Sequence, residues 1–142
     1  YQDSYATSIR GSGDERVIFA GHVSDQESLK ELFCNAYLYI HAHEYGGTNP
    51  ALLTALGAGC AVAALDTPFN REMLAENQHG VYFTKNDDSV RIALERCDVE
   101  SELIRTLRAT ARNRIQDRYT WERILGEYEE MFEALVRVKK SP

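Results

Sequence analysis

One short stretch gathers most of the side chains that could do chemistry: His41, His43 and Glu44, followed by Gly46-Gly47-Thr48-Asn49-Pro50. Paired glycines let a backbone approach a ligand closely. A Pro at the head of the apolar run Ala51-Leu52-Leu53-Thr54-Ala55-Leu56 marks a helix start, whose free N–H groups and positive dipole end would face that loop. An anion, most simply a phosphate or pyrophosphate, is the natural guest; a plain capped turn is the competing reading. Thr48 and Asn49 add side-chain hydrogen bonds and can double as the helix cap. His41 and His43 stand two apart and share a face, with Glu44 beside them. Two nitrogens and a carboxylate with no further well-placed ligand make a poor metal site, so no metal and no cofactor is expected. The histidines read better as hydrogen-bonding groups near a sugar or phosphate. Glu44 could stabilise positive charge developing at an anomeric carbon, or be a surface carboxylate flanking the helix.

Other patterns are weaker. His22, just after Gly21 at the end of an apolar run, faces the same rim, as ligand contact or as structure. Asn70-Arg71-Glu72 meets that rim again, and Arg71 could pair with phosphate or with Glu72. Gly57-Ala58-Gly59 precedes an apolar run instead of following one, which is the wrong context for a dinucleotide fingerprint. A P-loop and a Ser nucleophile elbow are both missing from the sequence.

The elements that must position these residues follow from hydrophobic patterning. Residues 1–10 read as a helix leading into the Gly11-Ser12-Gly13 break. Arg16-Val17-Ile18-Phe19-Ala20 reads as a buried strand closed by Gly21, and Ser24 with Glu27 forms a capping box for a helix over 25–34. Further strands are expected at Tyr37–His41, Cys60–Leu65 and Gly80–Phe83, with helices from Pro50 to Gly57 and from Pro68 to Leu74. Helices over 87–96, over 100–118 and, capped by Thr120, to Val136 complete the chain. Trp121 and the Tyr128/Met131/Phe132/Leu135 stripe stand at helical spacing and read as core. Strands that are continuous apolar runs between helices indicate a parallel sheet covered on both faces, an α/β, doubly wound, Rossmann-like fold. Because the chain opens with a helix, one or more strands are expected upstream of residue 1.

Composition bounds the rest. The 142 residues are one domain's length, with 44% hydrophobic and 27% charged residues. That is enough chain to bury a core without disulfide or metal. A net charge of −6 is unsuited to the nucleic-acid backbone, so no nucleic-acid partner is expected. The cluster Arg105, Arg108, Arg112, Arg114 and Arg118 alternates with acids and reads as a solvated helix face. Cys34, Cys60 and Cys97 form no C-x-x-C pair; Cys34 and Cys60 read as core thiols, and a reducing, cytoplasmic setting fits best.

Taken in order, Arg16-Val-Ile-Phe-Ala-Gly-His-Val-Ser-Asp, the run Glu44 to Ala64, Asn70-Arg-Glu and Arg118-Tyr-Thr-Trp-Glu-Arg-Ile resemble the C-terminal, donor-binding half of group 1 (family 4) glycosyltransferases. Gly-Gly-Thr-Asn-Pro and Asp66-Thr-Pro-Phe-Asn-Arg-Glu look most like the rhamnosyltransferase-like branch of bacterial polysaccharide assembly. The resemblance spans about residues 16 to 136. It implies a GT-B enzyme of two Rossmann-like domains, with 1–142 as the nucleotide-sugar-binding domain and the acceptor domain upstream. Such enzymes transfer a hexosyl or rhamnosyl unit from a nucleotide-diphosphate sugar to a saccharide acceptor, with retention and without metal; the full-length enzyme is expected to associate peripherally with the membrane.

The resemblance also implies roles. Members carry a Glu, seven residues, then a second Glu. Glu44 fits the first, catalytic position. Eight residues on lies Leu52, and the longer loop moves the expected second acid to Thr54, which can hydrogen-bond but cannot grip two ribose hydroxyls. Gly46, Gly47, Thr48 and Asn49 would meet the pyrophosphate or sugar, with His43 nearby, and Gly21, His22 and Val23 would line the base pocket. The family's basic residues for the diphosphate belong to the first strand and helix of this half; they have no match here and are expected upstream of residue 1. The last helix in such enzymes crosses back to the other half, so its apolar face is expected to be partly uncovered or self-associating. Three rivals stand beside this reading: a non-catalytic nucleotide-sugar-binding module, favoured by Thr54; a GT-B epimerase or phosphorylase; and an interaction domain using its long C-terminal helices.

Overall fold

The computed structural model describes residues 4–11 and 13–139. Its elements are α1 (Ser4–Gly11), α2 (Gln26–Asn35), β1 (Tyr39–His41), α3 (Pro50–Ala58), β2 (Val62–Leu65), α4 (Pro68–Met73), β3 (Val81–Phe83), α5 (Asp87–Val99), α6 (Ser101–Arg118) and α7 (Trp121–Lys139). The three strands form one parallel sheet in the order β1-β2-β3, with Tyr39 opposite Val62, Ala64 opposite Tyr82 and Leu65 opposite Phe83. All strands therefore deliver their C-terminal ends to one rim.

Alternation along the central strand builds a core on each face. Val62 and Ala64 pack with Leu52, Leu56, Met73 and Leu74 from α3, α4 and its end. Ala61, Ala63 and Leu65 turn to the other side, where Ala93 and Cys97 of α5 and Ile104 and Leu107 of α6 meet Val81 and Phe83. A central strand with both faces covered must be apolar throughout, and Val62–Leu65 is buried at every position. Leu52, Leu56 and Leu74 have no exposed surface, and each such side chain stabilises the fold by about 1.5–3 kcal/mol. Gly80 admits no side chain, because a Cβ there would lie 2.7 Å from Leu74 Cδ1 and 3.0 Å from the Val62 carbonyl oxygen.

Local chemistry sets the helix ends. Asn49 accepts from the Ala51 and Leu52 N–H groups, Pro50 occupies the first turn, and Gly59 at φ 80° closes α3 in the left-handed region. Asn86 likewise accepts from Asp88 and Ser89 at the start of α5. Thr120 caps α7 as expected, accepting from the Arg123 N–H at 3.3 Å. The cap of α2 is Asp25 instead of Ser24: its carboxylate accepts from Ser28 N–H at 2.7 Å, a charge-assisted bond at the positive end of the helix that a serine hydroxyl cannot match.

Three further expectations are corrected. The segment 16–20 is not a strand. Asp14 draws Arg16 into a local turn, accepting from its backbone N–H at 3.0 Å and from its guanidinium at 2.9 Å, while Val17 N–H donates to the Asp14 carbonyl. That side-chain bonding competes with strand pairing, and Ile18 is left 86% exposed. The sheet thus has three strands among the described residues, not four. Next, Trp121 and the Tyr128/Met131/Phe132/Leu135 stripe are not core: Trp121 is 77% and Leu135 60% exposed, because no described element covers that face of α7. The exposed face follows the resemblance instead. Cys34, finally, is half-buried, while Cys60 and Cys97 are buried.

The arginine cluster is not merely solvated either. Arg108 donates to the carbonyls of Cys34 and Ala36 at the end of α2. Arg112 donates to Gly57 and Ala58 at the end of α3, both at 3.2 Å. Arg114 donates to Glu72 and Met73 at the end of α4, at 2.6 and 2.9 Å. One helix thereby satisfies the orphan C-terminal carbonyls of three others, where a cation also meets the negative dipole end. Arg105 and Arg118 do pair with acids, Glu102 and Glu127.

Candidate functional site

The rim at the strand C-termini is closed by a few polar contacts. At the end of β1, His41 is buried beneath the loop, and Tyr39 Oη lies 3.3 Å from its Nδ1. Its Nε2 has no hydrogen-bond partner among the described residues. Burial, reinforced by neighbouring His43, holds the His41 pKa below the ordinary histidine value, so the ring is neutral at pH 7. The rings of His41 and His43 stand 6.0 Å apart.

Asn70, in α4, is the staple of the rim. Its side-chain amide donates to the Leu65 carbonyl at 2.8 Å and to the His43 carbonyl at 3.1 Å, tying the end of β2 to the loop after β1. A second tie joins the same elements: the Asn49 N–H donates to Met73 Sδ at 3.2 Å. Between these two anchors runs the loop Glu44–Thr48, exposed except for a half-buried Glu44, with Gly46 at φ 122°. Among the described residues no backbone hydrogen bond engages the N–H groups of Gly46, Gly47 or Thr48. Successive unengaged N–H groups at a strand end, ahead of a helix, are suited to an anion.

Asn49 spends its side-chain oxygen on its own helix, so its side chain acts as the cap and its free donors are the amide N–H groups. Thr54 is exposed on α3, and its hydroxyl donates to the Pro50 carbonyl at 2.9 Å. Leu52, the alternative place for a second acid, lies wholly in the core. Gly21, His22 and Val23 sit in the irregular segment before α2; Gly21 has φ 67°, and Val23 lines an open groove along α2 with Leu32 and Ala36. The contacts that close the rim do not include these three.

Arg71 meets the rim, but with other partners than Glu72. It forks onto Asp66 at 2.5 and 2.8 Å, reaches Glu76 at 3.1 Å and lies over the Tyr82 ring. The Arg71 guanidinium holds the Asp66 carboxyl below the ordinary range, and burial pushes the Tyr82 phenol up to about 12. The sequence pattern missed one participant: Lys85, in the loop after β3, forms an ion pair with Glu44 across the rim. The two stand 41 positions apart in the sequence, so only the strand order brings them together.

The fold is a Rossmann-like α/β domain with its loop-and-helix rim at the strand ends. A family model described as "Glycosyl transferase-like" matches residues 3–130, and the chain belongs to that family. It is similar to an uncharacterized glycosyltransferase of Methanocaldococcus jannaschii, 25% identical over 122 residues, which are 84% of this chain and 31% of that protein. The chain thus spans about a third of that relative's length. Among the described residues no helix is long and apolar enough to cross a membrane.

Proposed function

We propose that this chain is the donor-binding domain of a retaining glycosyltransferase, taking a nucleotide-diphosphate sugar and passing its hexosyl or rhamnosyl unit to a saccharide acceptor with an upstream domain of the same protein. Family membership supports transferase chemistry. The observation that carries the donor assignment is the rim loop: unengaged N–H groups of Gly46, Gly47 and Thr48 stand directly ahead of a capped helix, beside Glu44. In this reading the N–H groups stabilise the departing diphosphate and Glu44 favours the oxocarbenium-like sugar, an electrostatic preorganisation that needs no covalent intermediate. Gly21, His22 and Val23 would meet the base, and His43 and Thr54 the sugars. From the sequence resemblance of Gly46-Gly47-Thr48-Asn49-Pro50 and Asp66 to Glu72 to the rhamnosyltransferase-like branch, we infer a saccharide acceptor and a cytoplasmic, membrane-peripheral setting.

Titration of the chain with UDP, GDP, dTDP and ADP, followed by amide NMR, tests the assignment. With one half of a cleft the expected dissociation constant is on the order of 0.1–1 mM, or roughly 4–5.5 kcal/mol. Shifts at Gly46 to Asn49 with one nucleotide support the site and name the base; a folded chain that responds to none refutes it. The second reading, a non-catalytic nucleotide-sugar-binding module, is favoured by Thr54, whose hydroxyl proton is committed to Pro50. Full-length protein that keeps its transfer rate after Glu44→Gln would take Glu44 out of the chemistry and support that reading for this domain.

A further inference from the structure

Resting on the donor-site reading above, we propose that Lys85 is the cation for the donor's diphosphate: it neutralises Glu44 while the site is empty and passes to the diphosphate when a nucleoside-diphosphate sugar binds. The two rim cations differ in how free they are. Arg71 is gripped by Asp66 and Glu76 and stacked on Tyr82. Among the described residues Lys85 has one hydrogen-bonding partner, Glu44, and its side chain is 62% exposed against 35% for Glu44. Its backbone is nonetheless fixed. Asn86 N–H donates to the Thr84 carbonyl at 2.7 Å, Thr84 N–H donates to Ser89 Oγ at 2.9 Å, and Asn86 caps α5. A compact ammonium on a four-carbon stem with three donors thus swings from a rigid base.

Charge makes the exchange necessary. Glu44 stands next to the N–H groups that would receive the diphosphate, and an unneutralised carboxylate there repels it. Lys85 removes that repulsion only while it stays near both. Moving from one carboxylate to a diphosphate keeps the ammonium paired, and it leaves Glu44 unpaired when positive charge grows at the sugar. Lys85 reaches the site from the loop after β3, on the other side of β2 from the loop that carries Glu44.

Double-mutant analysis of nucleotide binding by the chain separates this role from simple support of Glu44. Lys85→Met alone weakens a nucleoside diphosphate in either case, by lost contact or by exposed repulsion. In the Glu44→Gln background the two cases part: Lys85→Met still weakens UDP, or whichever diphosphate of the panel binds, by about tenfold if the ammonium meets the diphosphate. Equal affinity with and without Lys85 in that background overturns the proposal. The corresponding nucleoside, which lacks phosphates, should bind all variants alike; a parallel loss with it would also overturn the proposal, by showing a general structural effect. Glu44→Gln alone should tighten the diphosphate severalfold by freeing Lys85. A wild-type chain that binds no diphosphate sinks the donor-site reading itself, whereas normal binding that ignores Lys85 in the Glu44→Gln background sinks Lys85's role only.

Discussion

Helices α6 and α7 are nearly equal in length, 18 and 19 residues, and both carry an apolar face. The weaker of the two stripes is the one in the core. α6 buries Ile104, Leu107 and Ala111 and serves both faces of the sheet, while α7 leaves Trp121, Leu125, Tyr128, Met131, Phe132 and Leu135 exposed. What α6 has in addition is polar: three arginines clasp the carbonyl ends of three other helices, against a single such contact from α7, Arg123 on the Asp117 carbonyl. The pair teaches that an amphipathic pattern says which face wants cover, and that docking also needs a partner whose unsatisfied groups match.

The sharpest way to break this comparison is truncation on each side. Leu56→Ala, opening the core that α6 closes, should cost about 3 kcal/mol in denaturant unfolding. Leu125→Ala on α7 should cost less than about 0.5 kcal/mol. Similar losses at both positions would mean that α7 is covered in solution, and sedimentation would then reveal a second copy. Next in size, Arg114→Met should lower stability by about 1–2 kcal/mol, since two carbonyls lose a charged donor. Arg105→Met, which removes only an exposed pair with Glu102, should lie near zero. Equal effects would show the arginines acting through charge alone.

Acid should act on the packed region and not on α7. His41 and His79 are both held below the ordinary histidine value, chiefly by burial, with His43 and Arg114 adding to it respectively. Depressed values in the fold against about 6.5 unfolded mean that the unfolded chain binds protons first. Stability is therefore complete above about pH 6.5 and falls as the pH drops toward the folded values, by at most about 1.4 kcal/mol per pH unit and histidine. Unfolding midpoints at pH 7.5 and 5.5 check this; a flat profile, or one unchanged by His41→Gln with His79→Gln, would refute it.

How much of this was legible depends on how local the cause is. α3 could be read from Asn49-Pro50 at one end and Gly59 at the other, and β2 from its unbroken apolar run, because caps and burial act on neighbouring residues. The loop Gly46–Asn49 was legible for the same reason. Arg16–Ala20 has a strand's composition, yet pairing needs an edge that composition does not supply, and Asp14 offers a closer partner. The arginines read as solvated because their acceptors are backbone carbonyls, which leave no mark in a side-chain pattern. The pair of Glu44 with Lys85 depends on two crossovers and a strand order, and neither is written near either residue.

The arginine clasps on α6 also set a rule for which lengths can vary. Each added residue turns a helix end by about 100° and advances it about 1.5 Å. An insertion within α2, α3 or α4 would therefore swing its last carbonyls away from Arg108, Arg112 or Arg114. Insertions in the loops that follow the strands would leave those carbonyls where they are. The chain is thus free to lengthen at its rim, where a ligand would be selected, and held to measure at the opposite ends of its helices.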